Sequence, residues 1–269
     1  MRVVLRAIVA CVMAVAGVTA HQNRDVSTLL AAARQALGGE AALSAVSTFT
    51  ATGSLVQPGN WLALDISCAL PDKFVLMTRD DGNAGPVSGE RTSSTRRQGF
   101  NGADPIDSIF PAPEIRSSFP TPGSFVIPSF SKTTLPAQTA APVGSESQQI
   151  FAQLTVPLFA TSFSGFPLTF TDGGQTPTGL EDLVVVNGPQ GHEMFRLLLD
   201  AKTHVPVALT WRTLAGPRMS IGDYHKIAGG LNWPHRFTTG LNGKTLKDEK
   251  ISTFTINPTI DPKTFTPAK

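Results

Sequence analysis

Val26, Leu30, Ala33 and Leu37 recur at helical spacing behind Asp25, whose carboxylate can cap a helix start, and Gly38-Gly39 supplies the stop. The spacing predicts one amphipathic helix of roughly three to four turns. A second short turn is predicted from Glu40 to Ala45, before Thr48-Phe49-Thr50-Ala51-Thr52-Gly53 opens strand-like chain. From there the period changes to two. Leu62, Leu64 and Ile66 alternate with Ala63, Asp65 and Ser67; Phe74, Leu76 and Thr78 alternate with Val75, Met77 and Arg79 beyond the turn residues Pro71-Asp72. These predict two adjacent antiparallel strands. The C-terminal third repeats the pattern over 183–187, 193–200, 207–213, 219–224, 236–241 and 251–256. Turn signals Asn187-Gly188-Pro189-Gln190-Gly191, Asp200-Ala201-Lys202-Thr203 and Leu241-Asn242-Gly243-Lys244 fall between these runs, which read as an antiparallel meander.

The stretch 81–150 breaks the pattern. Pro, Gly and Ser supply 27 of its 70 residues and no period persists, which reads as a long irregular insertion. Yet 10 of the 16 Phe lie between Phe100 and Phe170, more than a solvated linker would carry. Among these, Phe110, Phe119, Phe125 and Phe130 are expected to form a flap. Residues 148–159 fit a short helix that Pro157 would interrupt.

Arg2 and Arg6, an apolar run from Ala7 to Val18 and the small residues Val18-Thr19-Ala20 predict a secretory signal peptide over 1–20, cleaved after Ala20. An apolar run of 12 residues is too short to span a bilayer. The chain is then one domain, 21–269, at a periplasmic or secreted address. Cys11 sits too early for a lipobox, and cleavage leaves Cys68 alone, so no internal disulfide is expected; Cys68 reads as a buried small hydrophobe. The full chain has a formal charge of +2, and loss of Arg2 and Arg6 leaves 20 basic and 20 acidic residues, a poor balance for nucleic acid.

Catalytic chemistry finds little support. There is no Gly-x-Ser-x-Gly elbow, and Ser164 in Phe163-Ser164-Gly165-Phe166 reads as a turn serine. His192, His204, His225 and His235, with His21 near the start, form no metal motif. Glu181, Asp182, Asp200 and Asp223 offer no distinguished carboxylate pair, and Asp172-Gly173-Gly174-Gln175 lacks phosphate-loop spacing. Arg96-Arg97 could meet a phosphate or carboxylate, or form a solvated pair. No metal, cofactor or catalytic residue is assigned.

Three segments together resemble the periplasmic lipoprotein-carrier and outer-membrane lipoprotein-sorting superfamily, the LolA-like proteins. The first is Leu29-Leu30-Ala31-Ala32-Ala33-Arg34-Gln35-Ala36-Leu37-Gly38-Gly39, followed by Leu43, Val46 and the strand to Gly53. The second is Arg196 to Val207, similar to the Leu-x-Asp-x-x-Thr-x-x-Pro strand-turn-strand of these proteins. The third joins Asp223-Tyr224, Gly229-Gly230-Leu231-Asn232-Trp233-Pro234 and the tail Ile256 to Phe265. The likeness covers 26–80 and 180–267. It implies a mainly β fold with helical cover: a strongly curved antiparallel sheet, an incomplete β-barrel whose hydrophobic concavity takes up acyl chains.

The expectation is therefore an exported, non-enzymatic carrier or binding protein for an apolar ligand: a lipid, an acyl chain or an acylated protein. Strand alternation assigns Leu62, Leu64, Ile66, Phe74, Leu76, Phe195, Leu197, Leu199, Val207, Leu209 and Trp211 to the cavity, against plain core packing for each. Trp61, on the other parity, is placed at a rim. The alternatives are a cell-envelope interaction module with a self-filled core and a partner protein, and a secreted hydrolase. Peripheral membrane contact fits the carrier.

Overall fold

The computed structural model describes residues 25–80, 94–111, 143–211 and 214–266. The leader with Cys11 and His21, and three flap residues, Phe119, Phe125 and Phe130, lie outside them. Helix α1 (Val26–Ala36) starts where expected: an Asp25 carboxylate oxygen accepts the Ser27 N–H at 3.1 Å. Its buried stripe is Leu29 and Ala33, continued by Leu37. Gly38 follows with φ +130°, and a Cβ there would press the Leu231 backbone at 3.0 Å, so both the turn and the close approach require glycine. Helix α2 (Glu40–Ser44) is the expected second turn.

Twelve strands follow: β1 (Thr48–Gln57), β2 (Asn60–Ala69), β3 (Lys73–Arg79), β4 (Ser94–Asn101), β5 (Asp104–Pro111), β6 (Thr169–Gln175), β7 (Glu181–Asn187), β8 (Glu193–Asp200), β9 (Pro206–Thr210), β10 (Arg218–Lys226), β11 (Asn232–Leu241) and β12 (Lys244–Ile256). Helix α3 (Val143–Phe159) lies between β5 and β6. All twelve form one antiparallel sheet in the order β5-β4-β3-β2-β1-β12-β11-β10-β9-β8-β7-β6. Pairing of β1 with β12 joins the two halves, and among the described residues β5 and β6 are the edges of a sheet that is not closed.

The sheet is bent around α3. One helix can touch distant strands only if the sheet curves about it: Phe151 packs edge-on against Phe74 and Phe100 of β3 and β4, while Phe159 meets Phe49 and Trp233 of β1 and β11. α1, α3 and the concave side chains form one continuous core. The fold is thus mainly β with a helical cover, a half-barrel as expected. On the convex side, Phe265 of a 3-10 turn (Pro262–Phe265) packs on Val75 and Ile106.

Two readings of the sequence are corrected, on the insertion and on α3, and one strand, β6, was not predicted. The insertion is less irregular than its composition suggests, since β4, β5 and the first turns of α3 fall within 81–150. β4 was hidden because its concave positions run Phe100, Gln98, Arg96 and Ser94, with no apolar alternation to detect. Its neighbour β5 carries Pro105 and Pro111, which an edge strand tolerates. β6 is another strand written in unfavourable residues, Thr-Phe-Thr-Asp-Gly-Gly-Gln; its register shifts between Asp172 and Gly174, where the Asp172 side chain accepts the Gly174 N–H at 2.8 Å. Finally, α3 passes through Pro157 and ends two residues later. A proline that close to the C-terminus removes one hydrogen bond without halting the helix.

Candidate functional site

The concave faces of β2, β3 and β12 change character along their length. β2 runs Cys68, Ile66, Leu64, Leu62, Asn60; β3 runs Phe74, Leu76, Thr78; and β12 runs Ile251, Glu249, Lys247. Apolar residues fill the end beneath α1, and polar ones gather toward the Pro58-Gly59 and Asn242-Gly243 turns. Where the helices stop covering the sheet, a cavity of about 470 Å3 remains. Leu55, Leu62, Leu64, Ile66, Phe74, Leu76, Met219, Phe237 and Ile251 form its floor, Trp211 stands at one side, and Ile150 and Leu154 of α3 close it from above.

The rim is charged and hydrogen-bonding. Lys247 Nζ reaches Glu249 Oε1 at 2.7 Å across one strand face. Arg96 faces Asp107 at 3.7 Å and Glu146 at 3.8 Å, beyond hydrogen-bond range in both cases, and its buried Nε has no hydrogen-bond acceptor. Gln98, at 9% exposure, marks the boundary between floor and rim. Such a site can take an elongated apolar group inward and leave a polar end among the rim residues.

The expected cavity residues divide three ways. Leu62, Leu64, Ile66, Phe74, Leu76 and Trp211 line the cavity together. Phe195, Leu197, Leu199 and Leu209 are on the concave face, but they are fully buried in the core and do not line it. Val207 is corrected to a separate cluster with Leu183, Leu198 and Ala208, because β9 bulges where Leu199 pairs with Pro206 and Leu198 with Ala208. Trp61 is 36% exposed on the convex parity at the β1–β2 hairpin. Phe110 is 41% exposed on β5 opposite Thr95 and does not line the cavity. Leu55, Met219, Phe237, Ile251, Ile150 and Leu154 were missed. Strands over 219–224, 236–241 and 251–256 were predicted, but their faces were not set, since that needs the register of β10 to β12.

The two adjacent arginines split. Strand alternation sends Arg96 to the cavity, while Arg97 on the convex side donates to the Thr264 carbonyl and, at 2.8 Å, to the Thr266 carbonyl. The histidines stay apart from the cavity. His192 and His204 sit in separate turns, and His225 Nε2 lies 2.9 Å from Asp223 Oδ1, edge-on to the His235 ring. Among the described residues, no group of three His, Cys, Asp or Glu could hold a metal. Ser164 is exposed in a tight turn. Cys68 is buried in the core, and burial pushes its thiol pKa up. Among the described residues no helix is long and apolar enough to cross a membrane.

No family model matches the sequence, and a search of curated proteins gives no match. Among solved structures, the chain is similar to a domain named for outer membrane lipoprotein sorting from Vibrio parahaemolyticus, at 10% identity and TM-score 0.47, over 90% of this chain and 97% of that one. It is also similar to MucB in complex with MucA(peri), at 11% identity and TM-score 0.25, over 91% of this chain. MucB alone matches at 13% identity and TM-score 0.24. The chain spans 60% of the length of MucB in the first of these structures and 62% in the second.

Proposed function

We propose that the protein is an exported carrier or binding protein that shelters an apolar ligand in the half-barrel, with a lipid, an acyl chain or an acylated protein as the ligand class. The observation that carries this reading is the cavity itself: about 470 Å3 left open over an apolar floor, inside a sheet whose other half is tightly filled. That volume lies within the about 300–1,000 Å3 of small-molecule sites. Eight to ten buried methylenes would contribute roughly 6–8 kcal/mol before ordering costs, enough for retention without specific polar contacts.

The experiment is titration with a fluorescent fatty-acid probe, comparing wild type with Leu62→Trp. Leu62 lines the cavity and is only half-buried, so an indole fits there by occupying ligand space. Saturable uptake by wild type, weakened about tenfold in L62W with an unchanged unfolding temperature, is the expected outcome. Equal uptake by both proteins would mean that the probe binds elsewhere.

A further inference from the structure

The exposed large apolar side chains are not scattered. Among the described residues there are seven: Val56, Trp61, Ile109, Phe110, Leu180, Leu214 and Leu246. The strand registers place all but Leu180 at one end of the sheet, the end where the cavity opens. Val56 pairs with Trp61 beside the Pro58-Gly59 turn, Leu246 lies just past the Asn242-Gly243 turn, and Leu214 is in the β9–β10 turn. Ile109 and Phe110 end the edge strand, paired with Arg96 and Thr95. The opposite end, with α1, α2 and the turns at 200–206 and 226–232, carries Leu180 alone.

These six residues come from four separate segments. Val56, Trp61, Phe110 and Leu246 share the convex parity at this end of the sheet, Ile109 opposite Arg96 has the concave one, and Leu214 is in a turn. The β1–β2 hairpin is also uncharged, since 53–64 reads Gly-Ser-Leu-Val-Gln-Pro-Gly-Asn-Trp-Leu-Ala-Leu without one ionisable side chain. A charge-free hairpin bearing an exposed indole suits the headgroup region of a neutral bilayer, where Trp partitions well. Lys244, exposed at the start of β12, is placed to meet phosphates beside it.

We infer that this end of the molecule docks on a lipid bilayer surface through a convex lip of Trp61, Val56 and Leu246, with Phe110 at the sheet edge, which brings the neighbouring cavity mouth to the membrane. The contact lets an acyl chain pass between bilayer and cavity without crossing water. It deepens the carrier reading and rests on that reading for its purpose, while the surface itself is defined independently of any ligand. Because the hairpin is uncharged, binding needs no anionic lipid and resists salt.

The test is flotation of the protein, purified from the envelope fraction, with phosphatidylcholine vesicles. Wild type is expected to float, and to do so equally in about 0.5 M NaCl. Val56→Ser with Trp61→Ser is expected to weaken partition about tenfold while retaining fatty-acid probe uptake in vesicle-free buffer, since neither residue lines the cavity. If that pair loses probe uptake too, Phe110→Ser with Leu246→Ser is read in its place. Failure of wild type to float, equal flotation of the variants, or binding confined to phosphatidylglycerol vesicles and released by salt would overturn the inference. Probe uptake without vesicle binding removes the docking surface and keeps the carrier; vesicle binding without uptake does the reverse.

Discussion

Arg96 and Arg97 are neighbours in sequence and face opposite sides of the sheet, so their roles are separable. Arg97 holds the C-terminal segment through the Thr264 and Thr266 carbonyls, and desolvation lowers its pKa without removing its charge at neutral pH. Arg97→Ala should therefore speed hydrogen exchange over residues 260–266 and leave probe uptake unchanged, because the tail and the cavity lie on opposite faces. Reduced uptake in that variant would show the two faces to be coupled. A second residue-scale expectation concerns Glu40. Its carboxyl is held down at about 2 by hydrogen bonds from Arg34 and Ser44, and the same Arg34 donates to the Phe159 carbonyl at 2.6 Å, tying α1 to α2 and to the end of α3. A carboxylate with a depressed folded pKa stabilises above its unfolded value, near 4.5, and that contribution is lost as pH falls through about 2. Glu40→Gln should melt below wild type at pH 7, and thermal scans at falling pH should see the gap close toward pH 2. A constant gap would exclude the ion pair as its source.

The C-terminal turn is a small element with a large share of the convex packing. Asp261 caps it by accepting the Lys263 N–H at 2.9 Å, and Phe265, at 3% exposure, fills the space over Val75 and Ile106. Phe265→Ala should cost about 3 kcal/mol by denaturant unfolding, since it deletes a buried ring that the sheet cannot close over. A cost below about 1 kcal/mol would show the tail to be dispensable. Elements were legible in the sequence where one face was apolar throughout. α1, the β2–β3 pair and the C-terminal meander show this, as does the Asn242-Gly243 hairpin, whose two residues take φ +51° and +75°. β4 and β6 were not legible for a physical reason. A strand lining a polar rim puts Gln98, Arg96 and Ser94 where a core strand would put apolar residues, and an edge strand can carry Pro or Asp-Gly-Gly at little cost. Along β4 the polar rim is thus where the alternation is weakest.

At the scale of the whole molecule, parity along each strand located the concave face, but not the division of that face between core and cavity. Leu64 and Leu197 have the same chemistry and the same orientation. Leu64 borders the cavity that Ile150 and Leu154 of α3 cover, while Leu197 is wholly enclosed in the core. That division depends on where α3 starts and ends and on how twelve strands wrap around it, which is long-range information no local period encodes. The central claim is that the uncovered part of the concavity exists to hold an apolar molecule. Its most direct test is native mass spectrometry of the protein purified gently from its native source, followed by organic extraction and identification of what is released. A stoichiometric lipid or acylated peptide, lost in Leu62→Trp, is the result this account predicts. A bare chain mass from gently handled material, with no uptake of added fatty acid, would contradict it and leave a half-barrel whose cavity serves no ligand.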